Sequence, residues 1–244
     1  MIDRETNPGA FRTTHWSVVL RAADVATPES AQALETLCRH YWYPLYVFVR
    51  RRGYDPDEAK DLSQEFFARL LEAGSLRTLH PDKGRFRSFL LGSLKNFLAK
   101  EWRDANRLKR GGGQQIVAWD QFDPEDRYHL EPKVEAAPEE LFDRRWAQAL
   151  VDGVLDRLQA EMEREQLGDR FQKLKPFLQG EAVGQSYAEV AAQLGLSEPA
   201  VKSAIHRLRR RYAELIREEV AQTVASPAEV EEEIRYLIRA LAAQ

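Results

Sequence analysis

Lys202, Ser203, His206, Arg207, Arg209 and Arg210 recur at helical spacing along one side of residues 197–213. One ammonium, three guanidinium groups and two neutral donors on a single helix face suit phosphates and base edges in a DNA major groove. The opposite side carries Val201, Ile205, Leu208 and Tyr212, an apolar stripe that would bury the helix against a neighbour. Ser197 is placed to cap its start. Just upstream, Ser186 followed three residues later by Glu189 forms a capping box for a shorter helix. Between the two, Ala191 permits close approach, Gly195 permits a left-handed turn, and Val201 fills the joint. Residues 186–212 therefore read as a helix-turn-helix with a basic second helix. A two-helix corner with a solvated charged face would share this pattern, and the remainder of the chain decides between them.

A second set of basic groups lies on a long helix expected over residues 85–109. Arg87, Lys95, Asn96, Lys100, Arg103 and Arg107 are its candidate DNA contacts, because cations and an amide along one helix suit phosphates and bases. Phe86, Leu90, Leu94, Phe97 and Trp102 are expected to face inward as core. A third candidate surface belongs to a helix beginning at Asp55-Pro56-Asp57-Glu58, an N-cap acid followed by proline and a capping glutamate. Ala59, Leu62, Phe66 and Leu70 form its core stripe, and Asp61, Gln64 and Glu65 surround Phe67. An aromatic ringed by polar groups suits a protein partner; the other reading has Phe67 completing the core beneath a solvated acidic face.

The net charge of −3 conceals a strong segregation. Residues 75–110 hold ten Lys/Arg against three Asp/Glu, and residues 197–213 hold five against one. Residues 114–140, between them, hold eight acids and two bases. Two basic segments separated by an acidic one point to two contacts with a polyanion. No zinc-spaced Cys/His cluster, phosphate-binding glycine loop or GxSxG nucleophile occurs, so no enzyme, metal or cofactor chemistry is expected. The single cysteine, Cys38, can form no internal disulfide, in keeping with a reducing cytoplasm. The first residues lack the apolar core of a signal peptide, and no run reaches membrane-spanning length, so no membrane insertion is expected.

The periodic segments are all helical, so the expected fold is all-α, with two helical domains joined by an acidic linker. Residues 1–27 form an N-terminal segment with a short helix near 15–23. Residues 28–110 form the first domain. Its opening helix carries Leu34, Leu37, Tyr41, Leu45 and Phe48, is expected to kink or break at Pro44, and ends at Gly53. Gly74 is expected to end the next helix. Three glycines at 111–113 open the linker, 111–138, and the second domain spans 139–217 with helices near 139–166 and 169–179 ahead of the helix-turn-helix. Residues 218–244 extend beyond it. There Ser226 and Glu229 suggest another capping box, with Val230, Ile234, Leu237 and Leu241 on one helix face.

This order of parts resembles the sigma-70 family of RNA polymerase sigma factors, of the small extracytoplasmic-function (ECF) type. Asp61-Leu62-Ser63-Gln64-Glu65-Phe66-Phe67 is similar to the family's D-L-x-Q-E-x-F segment, which docks on the polymerase clamp. Phe86, Phe89, Leu90, Asn96 and Arg103 match the spacing of the helix that opens the −10 element. Val201-Lys202-Ser203 followed by His206-Arg207 resembles the V-K-S-x-x-H-R signature of the helix that reads the −35 element.

The resemblance implies that residues 28–110 are region 2 and 139–217 region 4, and that core RNA polymerase and promoter DNA are the partners, with an anti-sigma regulator as a further one. It assigns Asp61, Gln64, Glu65 and Phe67 to polymerase, and Lys202, Ser203, His206, Arg207 and Arg210 to the −35 element. It gives the linker acids Asp120, Asp123, Glu125 and Asp126 a place in the polymerase channel, the alternative being a solvated tether. A base of the opened strand would be captured by the loop at residues 74–84.

Three features depart from the family. Lys100 stands where an acid is usual, Pro199-Ala200 replaces Gly-Thr, and the C-terminal extension exceeds the compact members. The extension is expected to brace region 4, the alternatives being a shield over the DNA-reading helix or a regulator's docking site. Two other functions compete with the sigma reading: a helix-turn-helix repressor or activator that never enters polymerase, and an adaptor that binds polymerase without melting DNA.

Overall fold

The computed structural model describes residues 41–72, 85–107, 124–129, 136–179 and 185–242. Among these the regular structure is helical, without strands. The described residues fall into two compact units, one from those of 150–219 and the other from those of 41–149 and 220–242.

In the larger unit, helix α1 covers residues 41–51, α2 Pro56–Glu72, α3 Phe86–Arg107 and α4 Pro124–His129. Pro44 lies inside α1 without ending it. Leu45, Tyr46, Val47, Phe48 and Val49, which follow it, are almost wholly buried. Gly53, at φ +95°, turns the chain out of α1 as expected. At the start of α2 the Glu58 amide donates to Asp55 Oδ1 at 2.8 Å, and the Asp55 amide donates back to the Glu58 carboxylate at 3.4 Å. Ala59, Phe66 and Leu70 of α2 pack inward with Phe86, Leu90, Leu94, Phe97 and Leu98 of α3, whereas Leu62 is only half-buried. The end proposed at Gly74, the short helix at 15–23, Leu34, Leu37 and the 74–84 loop lie outside the described residues.

Helix α5, Pro138–Arg164, is the longest among the described residues, and its first part contributes Leu141, Phe142 and Trp146 to this core. Trp146 stacks on Tyr41 at 4.1 Å between ring centroids, and Phe86 leans on both rings. Within the expected linker, α4 is a folded element. Its Glu125 accepts from Arg50 Nε at 3.0 Å and Nη2 at 2.8 Å, and also from the Tyr46 hydroxyl. Arg50 holds the Glu125 carboxyl below its ordinary range, while burial followed by that hydrogen bond pushes the Tyr46 phenol up. Glu125 is therefore not a solvated acid of a flexible tether; Asp120, Asp123 and the Asp126 side chain lie outside the described residues.

The smaller unit is built from the rest of α5, then α6 Gly168–Leu174, α7 Pro176–Gln179, α8 Tyr187–Leu194 and most of α9 Glu198–Ala221. Val154, Leu158, Phe171, Leu174, Val190, Val201, Ile205, Leu208 and Leu215 make one continuous core.

The C-terminal extension corrects an expectation. A 3₁₀ turn, Pro227–Glu229, leads into α10, Val230–Ala242, and both fall in the larger unit with α1–α3. The extension was expected on region 4, residues 139–217, and its described contacts lie within the larger unit. The Phe86 amide donates to Thr223 O at 3.2 Å, and Arg85 donates to Glu232 at 2.7 Å and pairs with Glu233 at 3.0 Å. The physical cause is charge: α10 opens with Glu231, Glu232 and Glu233, and the start of α3 supplies Arg85 and Arg87. Ser226 makes no backbone cap; its hydroxyl donates to the Glu229 carboxylate at 3.1 Å, and the turn tightens to 3₁₀ in place of a capping box.

Candidate nucleic-acid interface

In the smaller unit the helix-turn-helix forms as its sequence dictates. Ser186 Oγ accepts from the Glu189 amide at 3.2 Å, and the Glu189 carboxylate accepts from the Ser186 amide at 3.0 Å. Helix α8 ends at Gly195 with φ +64° and ψ +33°, and the Leu196 amide reaches back to Ala191 O at 2.9 Å. Pro199 sits in the first turn of α9, where an absent N–H breaks no intrahelical bond, so the departure at Pro199-Ala200 leaves the helix intact. Val201, Ala204, Ile205 and Leu208 are buried, which turns the intervening residues outward.

Lys202, Ser203, His206, Arg207 and Arg210 are all exposed on that outward side. The side chains of His206 and Arg207 have no ion pair or hydrogen bond to other described residues. Lys202 Nζ lies 5.3 Å from the Tyr187 ring centroid, and Arg210 is only loosely paired with Glu214 at 3.7 Å. The neighbouring arginines are committed elsewhere. Arg209 donates to Phe177 O at 2.9 Å, and Arg211 makes two 2.9 Å bonds to Glu161 while reaching Glu218 at 3.2 Å. The hydrogen bonds from Arg211 hold the Glu161 carboxyl below its ordinary range, and Glu161 in turn raises the Arg211 guanidinium. Burial pushes the Tyr212 hydroxyl up to about 12, its oxygen 3.3 Å from Val151 O. The basic run therefore divides into an outward set and two arginines that hold the unit together.

In the larger unit, α3 presents Asn96, Lys100 and Arg103 to solvent, with Arg103 Nε donating to Ala99 O at 3.0 Å. Lys95 is half-exposed and bound to Glu139 at 2.7 Å, a contact that lowers the Glu139 carboxyl pKa. The Arg107 side chain lies outside the described residues.

Two expectations are corrected here. Arg87, expected as a DNA contact, is buried, donating to Glu233 Oε1 and Asp143 Oδ1 at 2.7 Å each, with Tyr236 4.0 Å from its guanidinium carbon. The Tyr236 hydroxyl donates to the other Asp143 oxygen. Burial works against the Arg87 charge, but the two carboxylates outweigh it and raise its pKa.

Trp102 is not core; it is 65% exposed. The inward stripe of α3 runs 86, 90, 94, 97 and then 101, so Glu101 takes the inward position and pairs with Arg69 at 2.6 Å. One residue on, Trp102 is rotated outward by about 100°. It lines a cavity of about 570 Å³ with Arg52, Tyr54, Lys95 and Arg103. Continuing the 3.6-residue period past Phe97 would have revealed Trp102; nothing in the sequence pointed to Arg52, which only the fold brings there.

On α2, Asp61 and Glu65 are exposed and Gln64 is half-buried, with Glu65 paired to Arg69 one turn on. Phe67 corrects the anchor reading: it is buried, 5.9 Å from Phe66 and 6.1 Å from Trp42 between centroids. The neighbouring Ser63 Oγ and Gln64 Oε1 are buried without a hydrogen-bond partner among the described residues.

A model of sigma-70 region 2 matches residues 37–108, and a model of sigma-70 region 4 matches residues 181–211. Neither curated proteins nor solved structures return a significant match.

Proposed function

The chain is a member of the sigma-70 family with regions 2 and 4, a factor for promoter recognition, and from that premise we propose how it divides the work. Region 4, within residues 139–217, reads the −35 element through Lys202, Ser203, His206, Arg207 and Arg210. Region 2, within residues 28–110, engages the −10 element through Asn96, Lys100 and Arg103, aided by Lys95 and Arg107, and helps to melt it. The exposed α2 residues Asp61, Gln64 and Glu65 dock on core RNA polymerase, in a factor of ECF type acting in the cytoplasm. The chain performs no chemistry of its own; it lends polymerase its specificity.

The observation that carries this reading is the outward set on α9. Its cations lie opposite a buried stripe and have few internal partners, so they are available to phosphates and base edges. A dimeric repressor is the weaker reading, because it leaves the polar face of α2 and the basic face of α3 without a purpose.

The test is co-elution with bacterial core polymerase followed by transcription from selected promoter fragments. Wild type should bind stoichiometrically, and Asp61→Ala/Gln64→Ala should not. Arg207→Ala should weaken promoter binding by about 1–3 kcal/mol if it reads a base. Equal losses on promoter and random DNA would reduce Arg207 to a phosphate contact, and a folded wild type that ignores polymerase would overturn the sigma mechanism.

A further inference from the structure

Along α3 the described cations differ in how far the chain has already claimed them. Arg87 is enclosed by Glu233 and Asp143, whereas Lys100 and Arg103 are exposed with no ion pair to another described residue. Lys95 lies between these limits. Its Nζ is 2.7 Å from Glu139 Oε1, and both side chains are 39% exposed. Among the described cations of α3 proposed above as −10 contacts, Lys95 is therefore the one that a carboxylate already occupies.

The fold fixes both sides of this pair. Glu139 belongs to the first turn of α5, where backbone N–H groups without intrahelical partners favour a carboxylate, and Leu141, Phe142 and Trp146 anchor that end of α5 in the core. Lys95 Nζ stands 6.0 Å from the centre of the Phe48 ring, and the Arg52 guanidinium stands 5.4 Å from the same ring. The hydrogen bond from Lys95, then the backbone of Glu139 and the charge of Arg52, keep the Glu139 carboxyl below its ordinary range, so it is an anion at neutral pH. An anionic oxygen at hydrogen-bond distance from an ammonium, with a second cation acting on it, repeats what a phosphodiester would offer Lys95.

Half-exposure decides what the pair can do. Water screens an exposed ion pair and leaves it weakly held, whereas breaking the Arg87 pairs would strand a buried charge. A DNA phosphate can take Lys95 from Glu139 on terms that Arg87 does not allow.

We infer that Glu139 is an internal stand-in for a DNA phosphate, holding Lys95 in the free chain and yielding it when DNA binds. This rests on the reading of α3 as a helix that engages promoter DNA. It adds a positioning residue on α5, outside that helix, which sets how many cations α3 offers. Any DNA that uses Lys95 must first break this pair, so Glu139 weakens the hold of the free chain on bulk DNA, where few other contacts compensate.

The test uses the full chain and a fluorescein-labelled duplex of random sequence, with binding followed by anisotropy at low salt. Glu139→Gln should tighten binding roughly two- to fivefold, the range expected from releasing one exposed ion pair. Glu140→Gln is the control. It removes the same charge one residue on, from a carboxylate that accepts from the Ala137 amide at 3.3 Å, and should change binding far less. Lys95→Ala should weaken binding, and adding Glu139→Gln to it should give no more than Glu140→Gln gives by itself. Glu139 is half-exposed, so its glutamine variant should fold normally, which an unchanged thermal transition would verify.

An equal gain in Glu139→Gln and Glu140→Gln, or a gain that survives Lys95→Ala, would reduce the effect to net charge and overturn the inference. The outcomes also separate the inference from its premise. Weaker binding by Lys95→Ala with no gain in Glu139→Gln would overturn the stand-in and leave α3 as a DNA-binding helix. Unchanged binding by Lys95→Ala would remove Lys95 from the DNA contacts, and the role of Glu139 would fall with it.

Discussion

Removing the Glu233 carboxylate should destabilise the larger unit strongly, unlike a change on the exposed side of the C-terminal helix. Glu233 is buried, accepts from Arg87 Nε at 2.7 Å, and meets Arg85 at 3.0 Å. In Glu233→Ala, Arg87 would keep only Asp143 while its guanidinium stays buried. Breaking a buried pair by deleting one partner costs about 3–5 kcal/mol, because the remaining charge is left uncompensated. The surviving bond to Asp143 places the expectation at the lower end, about 3 kcal/mol, or about 6–12 °C in Tm for a chain of this size.

Thermal unfolding by circular dichroism would measure that loss, with Arg235→Ala, on the exposed side of α10, as a control expected to stay within about 0.5 kcal/mol. Hydrogen exchange would locate it. The Phe86 amide, bonded to Thr223 O, should lose protection together with α10. The double variant Arg87→Met/Glu233→Leu should recover much of the loss, since apolar replacement of a buried pair is often neutral. A Glu233→Ala penalty below about 1 kcal/mol, or faster exchange confined to 230–242, would refute the view that α10 is integral to the unit.

Phe67→Ala should cost about 3–5 kcal/mol in denaturant unfolding, because Phe67 is packed between Phe66 and Trp42; lost polymerase binding at unchanged stability would restore its role as an exposed anchor. Gly195→Ala should cost about 1–2 kcal/mol from backbone strain alone, since an added Cβ meets nothing within 4 Å, and Gly195→Asn should cost less. Glu161, held below its ordinary pKa by Arg211, contributes stability that is fully present above the unfolded carboxylate value of 4.5 and is lost as pH falls through the folded pKa. Glu161→Gln should therefore be less stable than wild type at neutral pH, and the two urea midpoints should converge toward low pH; a constant gap across that range would remove the charge explanation.

Local chemistry was legible wherever one short segment supplied all of the interaction. The capping boxes at Asp55/Glu58 and Ser186/Glu189, the left-handed Gly195, and the alternation of buried and outward residues on α9 each involve residues within a few turns of one another. At Pro44 a kink or a break was expected, and the helix continues through it into five buried residues, Leu45 to Val49.

The amino-acid sequence by itself determined that this protein is helical, that its charge is segregated, and that α9 carries a basic face, because periodicity and capping act over a few residues. The tertiary structure alone decided which charged and aromatic groups are free. Arg87 and Arg103 are both arginines of α3, yet one is enclosed by Asp143 and Glu233, respectively 56 and 146 residues away, and the other faces solvent. Phe67 and Trp102 likewise exchange their expected places, one buried and one exposed, because a side chain's surroundings are set by the elements that pack against it.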